Sequence, residues 1–140
     1  MIKINAISKT LSMNDTGETG GHQAGILIPK QKEILSFFPD LNKAEKNPRE
    51  VITFNDLSSV KWPFSFIYYN NKFFDGTRNE FRLTGMTKFI KGNNIKAGDE
   101  ITLNRNEGGQ YFIQFTKTKP ASSDNGSTLK LGSEWRIVKL

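Results

Sequence analysis

The amino-acid sequence predicts a mainly β fold with a minor helical part. It reads as one domain over residues 1–140, a small closed or half-closed barrel of seven or eight short strands with one or two short helices. Three observations lead there. Eleven Phe, three Tyr and two Trp lie mostly in short apolar runs broken by Gly, Asn, Asp and Pro, the pattern of many short strands. Several of those runs alternate apolar and polar residues, as half-buried strands do. And 140 residues are enough to bury a sizeable core in a single domain.

Taken in order, Ile2–Leu11 is a first strand. Ser12–Gln23 is nearly all polar and Gly-rich, so it is expected to be a long loop, and loops of that kind inside compact domains are usually functional. Ala24–Ile28 returns as a buried strand stopped by Pro29. Gln31–Phe38 carries Ile34, Leu35, Phe37 and Phe38 at helical spacing before Pro39, so a short helix is expected. Leu41–Glu50 is a charged surface connection. Val51–Phe54 is strand-like, and Phe64–Phe74 is a longer aromatic strand. Phe81 and Leu83 alternate with Arg82 and Thr84 in the strand that follows, and Thr87–Ile90 fits one helical turn. Lys96–Asp99 is a turn, Glu100–Asn104 a strand with Ile101 and Leu103 inward, and Asn106–Gly109 a hairpin turn into Tyr111, Ile113 and Phe115. Residues 119–128 are poor in apolar side chains and are expected to form a flexible loop. Glu134–Leu140 supplies a last strand.

Twenty basic residues against fourteen acidic give a formal charge of +6, an excess suited to a polyanionic partner although many basic domains bind none. The absence of Cys excludes disulfides, thiolate catalysis and Cys-based zinc sites. No apolar run reaches the roughly 18 to 20 residues of a membrane span, and the N-terminus lacks the apolar core of a signal peptide. A cytoplasmic, bacterial protein with no membrane partner is expected.

The densest chemistry lies in Tyr68–Thr84, where Arg78, Asn79, Glu80 and Arg82 fall within five residues. Arg forks onto guanine O6 and N7, Asn onto adenine, and Glu accepts from the N4 amine of cytosine. Gripping phosphates calls for Lys and Arg alone, so an acceptor carboxylate among the donors points to base edges. The bland alternative is a salt-bridged hairpin, but exposed ion pairs contribute only about 0 to 1 kcal/mol, a weak reason for such density. Phe64, Phe66, Tyr68, Phe73 and Phe74 are better read as core than as a stacking platform for single strands, because the first three alternate. Lys43, Lys46 and Arg49, like Lys88 and Lys91, read as solvated faces.

The loop Asn14–Gln23 holds Gly17, Gly20, Gly21 and the only histidine, His22, but no GxxxxGK[ST] pattern, so a nucleotide site is not expected. One His and scattered carboxylates offer no metal-ligand spacing. Pro39-Asp40 followed by Glu45-Lys46 resembles a nuclease motif only superficially, since it lies in a charged connection. The chain alone is therefore expected not to be an enzyme, with no catalytic or metal-binding residues and no cofactor for binding. Rival readings are a self-contained metal-dependent nuclease and a single-strand or RNA binder using Tyr68, Tyr69 and Phe73.

LSMNDTGETGGHQAGILIP (Leu11–Pro29) and IYYNNKFFDGTRNEFRLT (Ile67–Thr84) resemble the N-terminal effector domain of EcoRII-type restriction endonucleases. The likeness runs from Leu11 to Thr84. Beyond it, IKAGDEITLNR (Ile95–Arg105) is similar to the signature of the plant B3-like DNA-binding pseudobarrel. The resemblance implies a seven-stranded open barrel that places two arms in the major groove of double-stranded DNA. The N-arm would comprise Asn14, Asp15, Thr16, Thr19, Gly20, Gly21, His22 and Gln23, with His22 as its reader. The C-arm would comprise Asn71, Lys72, Thr77, Arg78, Asn79, Glu80 and Arg82. The implied site is short and G·C-rich, such as CCWGG, and Mg2+ would belong to a separate nuclease domain of the parent protein. A pseudobarrel transcription factor shares the fold and the binding mode. Leu27 stands where the family has Tyr, and Gly76 where it has Lys, both at positions that bear on which flanking base or phosphate is held.

Overall fold

The computed structural model describes residues 5–18, 25–118 and 135–138. Among them lie eight strands, β1 (Ala6–Thr10), β2 (Gly25–Ile28), β3 (Arg49–Asn55), β4 (Lys61–Tyr69), β5 (Glu80–Thr84), β6 (Glu100–Arg105), β7 (Tyr111–Thr116) and β8 (Trp135–Ile137). They form one sheet in the order β2-β5-β4-β3-β7-β6-β1-β8. Every pairing is antiparallel except β3 with β7, which meet only at Phe54–Tyr111 and Asn55–Phe112. The two end strands of that order come close without pairing: the indole Nε1 of Trp135 donates to the carbonyl of Leu27 at 3.1 Å. The sheet thus curls into a nearly closed barrel with one side-chain bridge across its seam.

Alternation decides what fills it. Phe64, Phe66 and Tyr68 point inward from β4, Phe81 and Leu83 from β5, and Ile101 and Leu103 from β6. Phe66 and Tyr68 each stack on Phe81, with centroids 5.7 and 4.2 Å apart. Phe37 and Phe38 follow α2 (Lys32–Leu35) and cap one end, Phe38 stacking on Phe66 at 4.5 Å. The Phe37 carbonyl accepts from Arg105 Nη1 at 2.7 Å. α3 (Thr87–Gly92) adds Phe89 and Ile90.

Several expectations need correction. The barrel has eight strands, within the seven or eight read from the residues and one more than the resemblance implies; the C-terminal segment supplies β8 beside β1. Short helical pieces also outnumber the one or two expected. The polar stretch after β1 opens with the single helical turn α1 (Met13–Thr16), built by a capping box: Ser12 Oγ accepts from Asp15 N at 3.2 Å, and the Asp15 carboxylate accepts from Ser12 N at 2.9 Å. The expected strand Phe64–Phe74 ends at Tyr69, where Asn70 leaves the extended conformation and a 3-10 turn, Asn71–Phe74, follows. Phe73 and Phe74 consequently stand outside the core, 63% and 36% exposed. The helix expected over Gln31–Phe38 is confined to Lys32–Leu35. The loop expected over 119–128 lies outside the described residues.

Candidate functional site

The face of β2, β5, β4 and β3 turned away from the core lines an open groove. Register places Leu27, Arg82, Ile67 and Arg49 in one row across the four strands, and Gly25, Thr84, Ser65 and Val51 in the next. Glu80 and Tyr69 pair in a third row at the mouth. Asn14 and Gly17 of the first arm also border the groove, as does Arg78 of the second. Arg49, Arg78 and Arg82 thus line the groove, with one carboxylate, that of Glu80, bonded to Arg78 and Arg82 at its mouth. The groove carries net positive charge.

Glu80 organises the second arm. Its Oε2 accepts from Arg78 Nη2 at 2.5 Å and from Arg82 Nε at 2.9 Å. Both bonds fall on one oxygen, which leaves Oε1 without a donor among the described residues, and Arg82 keeps both Nη groups for an external acceptor. Partial burial alone would raise the Glu80 carboxyl; the bonds and charges of Arg78 and Arg82 outweigh it and hold the group below its usual range. Glu80 is thus an anion at neutral pH, able only to accept. Arg78 is held further by stacking on Tyr69, its Cζ 3.8 Å from the ring centroid. Asn79 falls on the opposite side of the strand, where its Oδ1 accepts from Tyr68 Oη at 2.7 Å.

The base of this arm is tied down by asparagines. Asn71 Oδ1 accepts the backbone N–H of Arg78 at 2.7 Å, its carbonyl accepts that of Gly76 at 2.6 Å, and Lys72 N donates to the Arg78 carbonyl at 2.9 Å. Asn71 thus shapes the arm, whereas Lys72 and Thr77 are exposed on it. Beneath it, Asn70 is buried and fully engaged: Nδ2 donates to the carbonyls of Lys43 and Glu45 at 3.3 and 2.9 Å, and Oδ1 accepts from Asn47 N at 2.7 Å.

The first arm is rooted by charge. Lys9 is 1% exposed inside the barrel, and its ammonium donates to the carboxylate of Asp15 on α1. Thr16 is buried with its hydroxyl donating to Glu18 at 2.8 Å, and Glu18 accepts from Ala97 N at 2.7 Å. Asp15 and Thr16 are therefore scaffolding within the arm, and among the described members of the expected set Asn14 borders the groove. Thr19, Gly20, Gly21, His22 and Gln23 lie outside the described residues. Below this arm sits the turn Lys96–Asp99. The Asp99 carboxylate accepts from Lys96 N and Thr118 N at 2.8 Å each and from Lys117 Nζ at 2.6 Å. Burial pushes its carboxyl up, but these donors prevail and bring it down to about 2.

Sequence reasoning missed Arg49, Ser65 and Thr84 as groove residues and Asn70 as the arm's anchor. The alternation of β4 could have found Ser65, since inward Phe64 and Phe66 force it outward. Among the described residues, no group of three or more His, Cys, Asp or Glu side chains could hold a metal ion, and no helix is long and apolar enough to cross a membrane.

A family model described as "Restriction endonuclease EcoRII, N-terminal" matches residues 2–103. The type II restriction enzyme EcoRII of Escherichia coli is 40% identical over 99 residues, which make up 68% of this chain and 24% of that enzyme. Auxin response factor 4 of Arabidopsis thaliana is 29% identical over 133 residues, 94% of this chain and 16% of that factor. The chain thus spans about a quarter or less of the length of these relatives. Among solved structures, the Arabidopsis FUS3–DNA complex superposes with a TM-score of 0.62 at 21% identity, covering 80% of this chain and 96% of that one. The Arabidopsis thaliana LEC2–DNA complex gives 0.60 at 20% identity, covering 84% and 100%. At those identities the likeness speaks for the fold, a pseudobarrel of the plant type.

Proposed function

The chain belongs to the family of the N-terminal part of the restriction endonuclease EcoRII, and from that premise we propose that it is a sequence-specific reader of double-stranded DNA. It grips a short G·C-rich site such as CCWGG through two arms in the major groove. The observation that carries this reading is the Arg78–Glu80–Arg82 triad at the groove mouth, bonded through Glu80 Oε2 alone. The arrangement holds two guanidinium groups ready for guanine O6 and N7 while Glu80 Oε1 stays open to a cytosine N4 amine. Fixing three side chains before binding lowers the ordering cost of the complex.

Arg49, Lys72 and the basic excess supply phosphate contacts, and affinity accordingly falls steeply with salt. Ser65 and Thr84 hydroxyls line the groove between the arms. His22, with Thr19, Gly20, Gly21 and Gln23, contributes the N-arm reading surface. In the parent protein this domain acts as the effector or target-recognition part of a type II restriction endonuclease, with Mg2+-dependent cleavage in a separate nuclease domain. Selection of bound duplexes from a random library tests the reading: enrichment of one short G·C-rich site supports it. Retention of duplexes without any common sequence contradicts it.

A further inference from the structure

We propose that Phe73 reads the C5-methyl group of a thymine within about one base step of the base met by Arg78, a contact that rests on the DNA-reading function above. Phe37, Phe38, Phe54, Phe64, Phe66, Phe81 and Phe89 are all buried, whereas Phe73 is 63% exposed on the second arm. Its placement is fixed by the backbone. Phe73 N donates to the Asn70 carbonyl at 3.0 Å, and the neighbouring Lys72 N donates to the Arg78 carbonyl at 2.9 Å. Phe73 therefore stands one residue beyond the Lys72–Arg78 rung. Within the 3-10 turn Asn71–Phe74 each residue rises about 2.0 Å, less than the roughly 3.4 Å between base pairs, so Phe73 stays within about one base step of the rung.

The surroundings select the occupant. The Lys72 ammonium lies 5.9 Å from the Phe73 ring centroid, and the Arg78 guanidinium of the same arm is stacked on Tyr69. An apolar ring beside a cation, on an arm that carries further basic side chains, suits a surface that is anionic overall yet carries one apolar projection. In the major groove that projection is the thymine methyl, and Phe is among the side chains that contact it. A hydrophobic protein partner would not favour the adjacent Lys72 ammonium.

The test replaces each thymine of the selected duplex and its flanks, one at a time, by deoxyuridine, which pairs identically and lacks only the methyl. For the intact chain, one replacement should weaken binding about fourfold, the effect of returning one methyl group to water, about 0.8 kcal/mol. Phe73→Ala should lose a similar factor on the thymine duplex and be indifferent to the replacement, while Phe73→Leu should recover part of the discrimination. Because Phe73 is exposed, circular dichroism of both variants should match the parent chain. Specific binding that persists with no sensitive thymine would overturn this inference and leave the DNA-reading function standing. So would independent, multiplying losses from Phe73→Ala and deoxyuridine. Absence of any sequence preference in the unaltered chain would remove both.

Discussion

Asn47 and Asn70, 23 residues apart, exchange reciprocal hydrogen bonds: the backbone N–H of each donates to the side-chain oxygen of the other, at 2.7 and 3.2 Å. Asn47 has a φ of +51°, in the left-handed region where Asn is tolerated. Asn70 also holds Lys43 and Glu45 through its amide N–H groups. The connection before β3 is in this way fastened to the point where β4 becomes the second arm.

Replacing Asn70 should loosen that joint. Asn70→Ala abandons three side-chain bonds in a buried setting and should cost about 2 kcal/mol in urea denaturation. Asn70→Asp should cost at least as much at neutral pH, because a carboxylate would then face the carbonyls of Lys43 and Glu45 with no proton to give. A neutral outcome for either variant would mean that the arm is rooted elsewhere.

Glu80 and its arginines predict a separation of binding from stability. The triad is half-exposed, so Glu80→Gln should change folding stability by less than about 1 kcal/mol. On the specific site, Arg78→Ala or Arg82→Ala should each cost about 1 to 3 kcal/mol of binding, with little loss on random duplex. In the proposed reading Glu80 meets a cytosine amine edge, so methylation of that cytosine should also weaken binding. Anisotropy titrations on matched duplexes distinguish this from a uniform phosphate role, in which random duplex suffers equally.

Gly76 has no room for a side chain. A Cβ there would lie 2.6 Å from Asn71 Cγ and 2.7 Å from Oδ1, the oxygen that accepts from Arg78 N. Gly76→Ala should displace Asn71 and weaken specific binding by about 1 kcal/mol, roughly fivefold. In an Asn71→Ala background the same change should cost less, so the double variant falls short of the sum of the singles. Full additivity would show that the Asn71 side chain does not transmit the effect.

Asp99 gives the fold an acid limit. Its folded carboxyl is lowered from the usual 3.8 to about 2, so the stabilisation is complete above the unfolded value. It is lost as pH falls through the interval from about 4 to about 2. Asp99→Asn should remove about 2 kcal/mol at pH 7 and flatten the stability profile across that interval. Thermal unfolding between pH 7 and 2 checks both, and an unchanged acid limb in the variant would move the titrating group elsewhere.

The strands were legible because their burial alternates within the sheet: Ile101 and Leu103 could only face inward, and the same rule placed Phe64, Phe66 and Phe81. It failed where alternation stops carrying information. Phe73 and Phe74 continue an aromatic run, but Asn70 breaks the strand through partners 23 to 27 residues away, which no local pattern announces. The turn α1 did have a local signal, Ser12 and Asp15 at capping-box spacing, masked by the glycines that follow. Asp15 looked like an arm residue because its burial depends on Lys9, a lysine inside a barrel. Arg49 read as one of a charged cluster until the register set it beside Ile67 and Arg82 on the groove face. The triad was legible as chemistry from its spacing, and the division of labour between the two oxygens of Glu80 required the structure.

The most direct test of the account is a titration of the intact chain, in EDTA, against a duplex carrying one CCWGG site and against the same duplex scrambled. Base reading by the two arms predicts a preference of about a thousandfold or more for the site, the ratio typical of specific protein–DNA interfaces. Equal, salt-sensitive affinity for the two duplexes would contradict it, reducing the triad to a grip on the backbone.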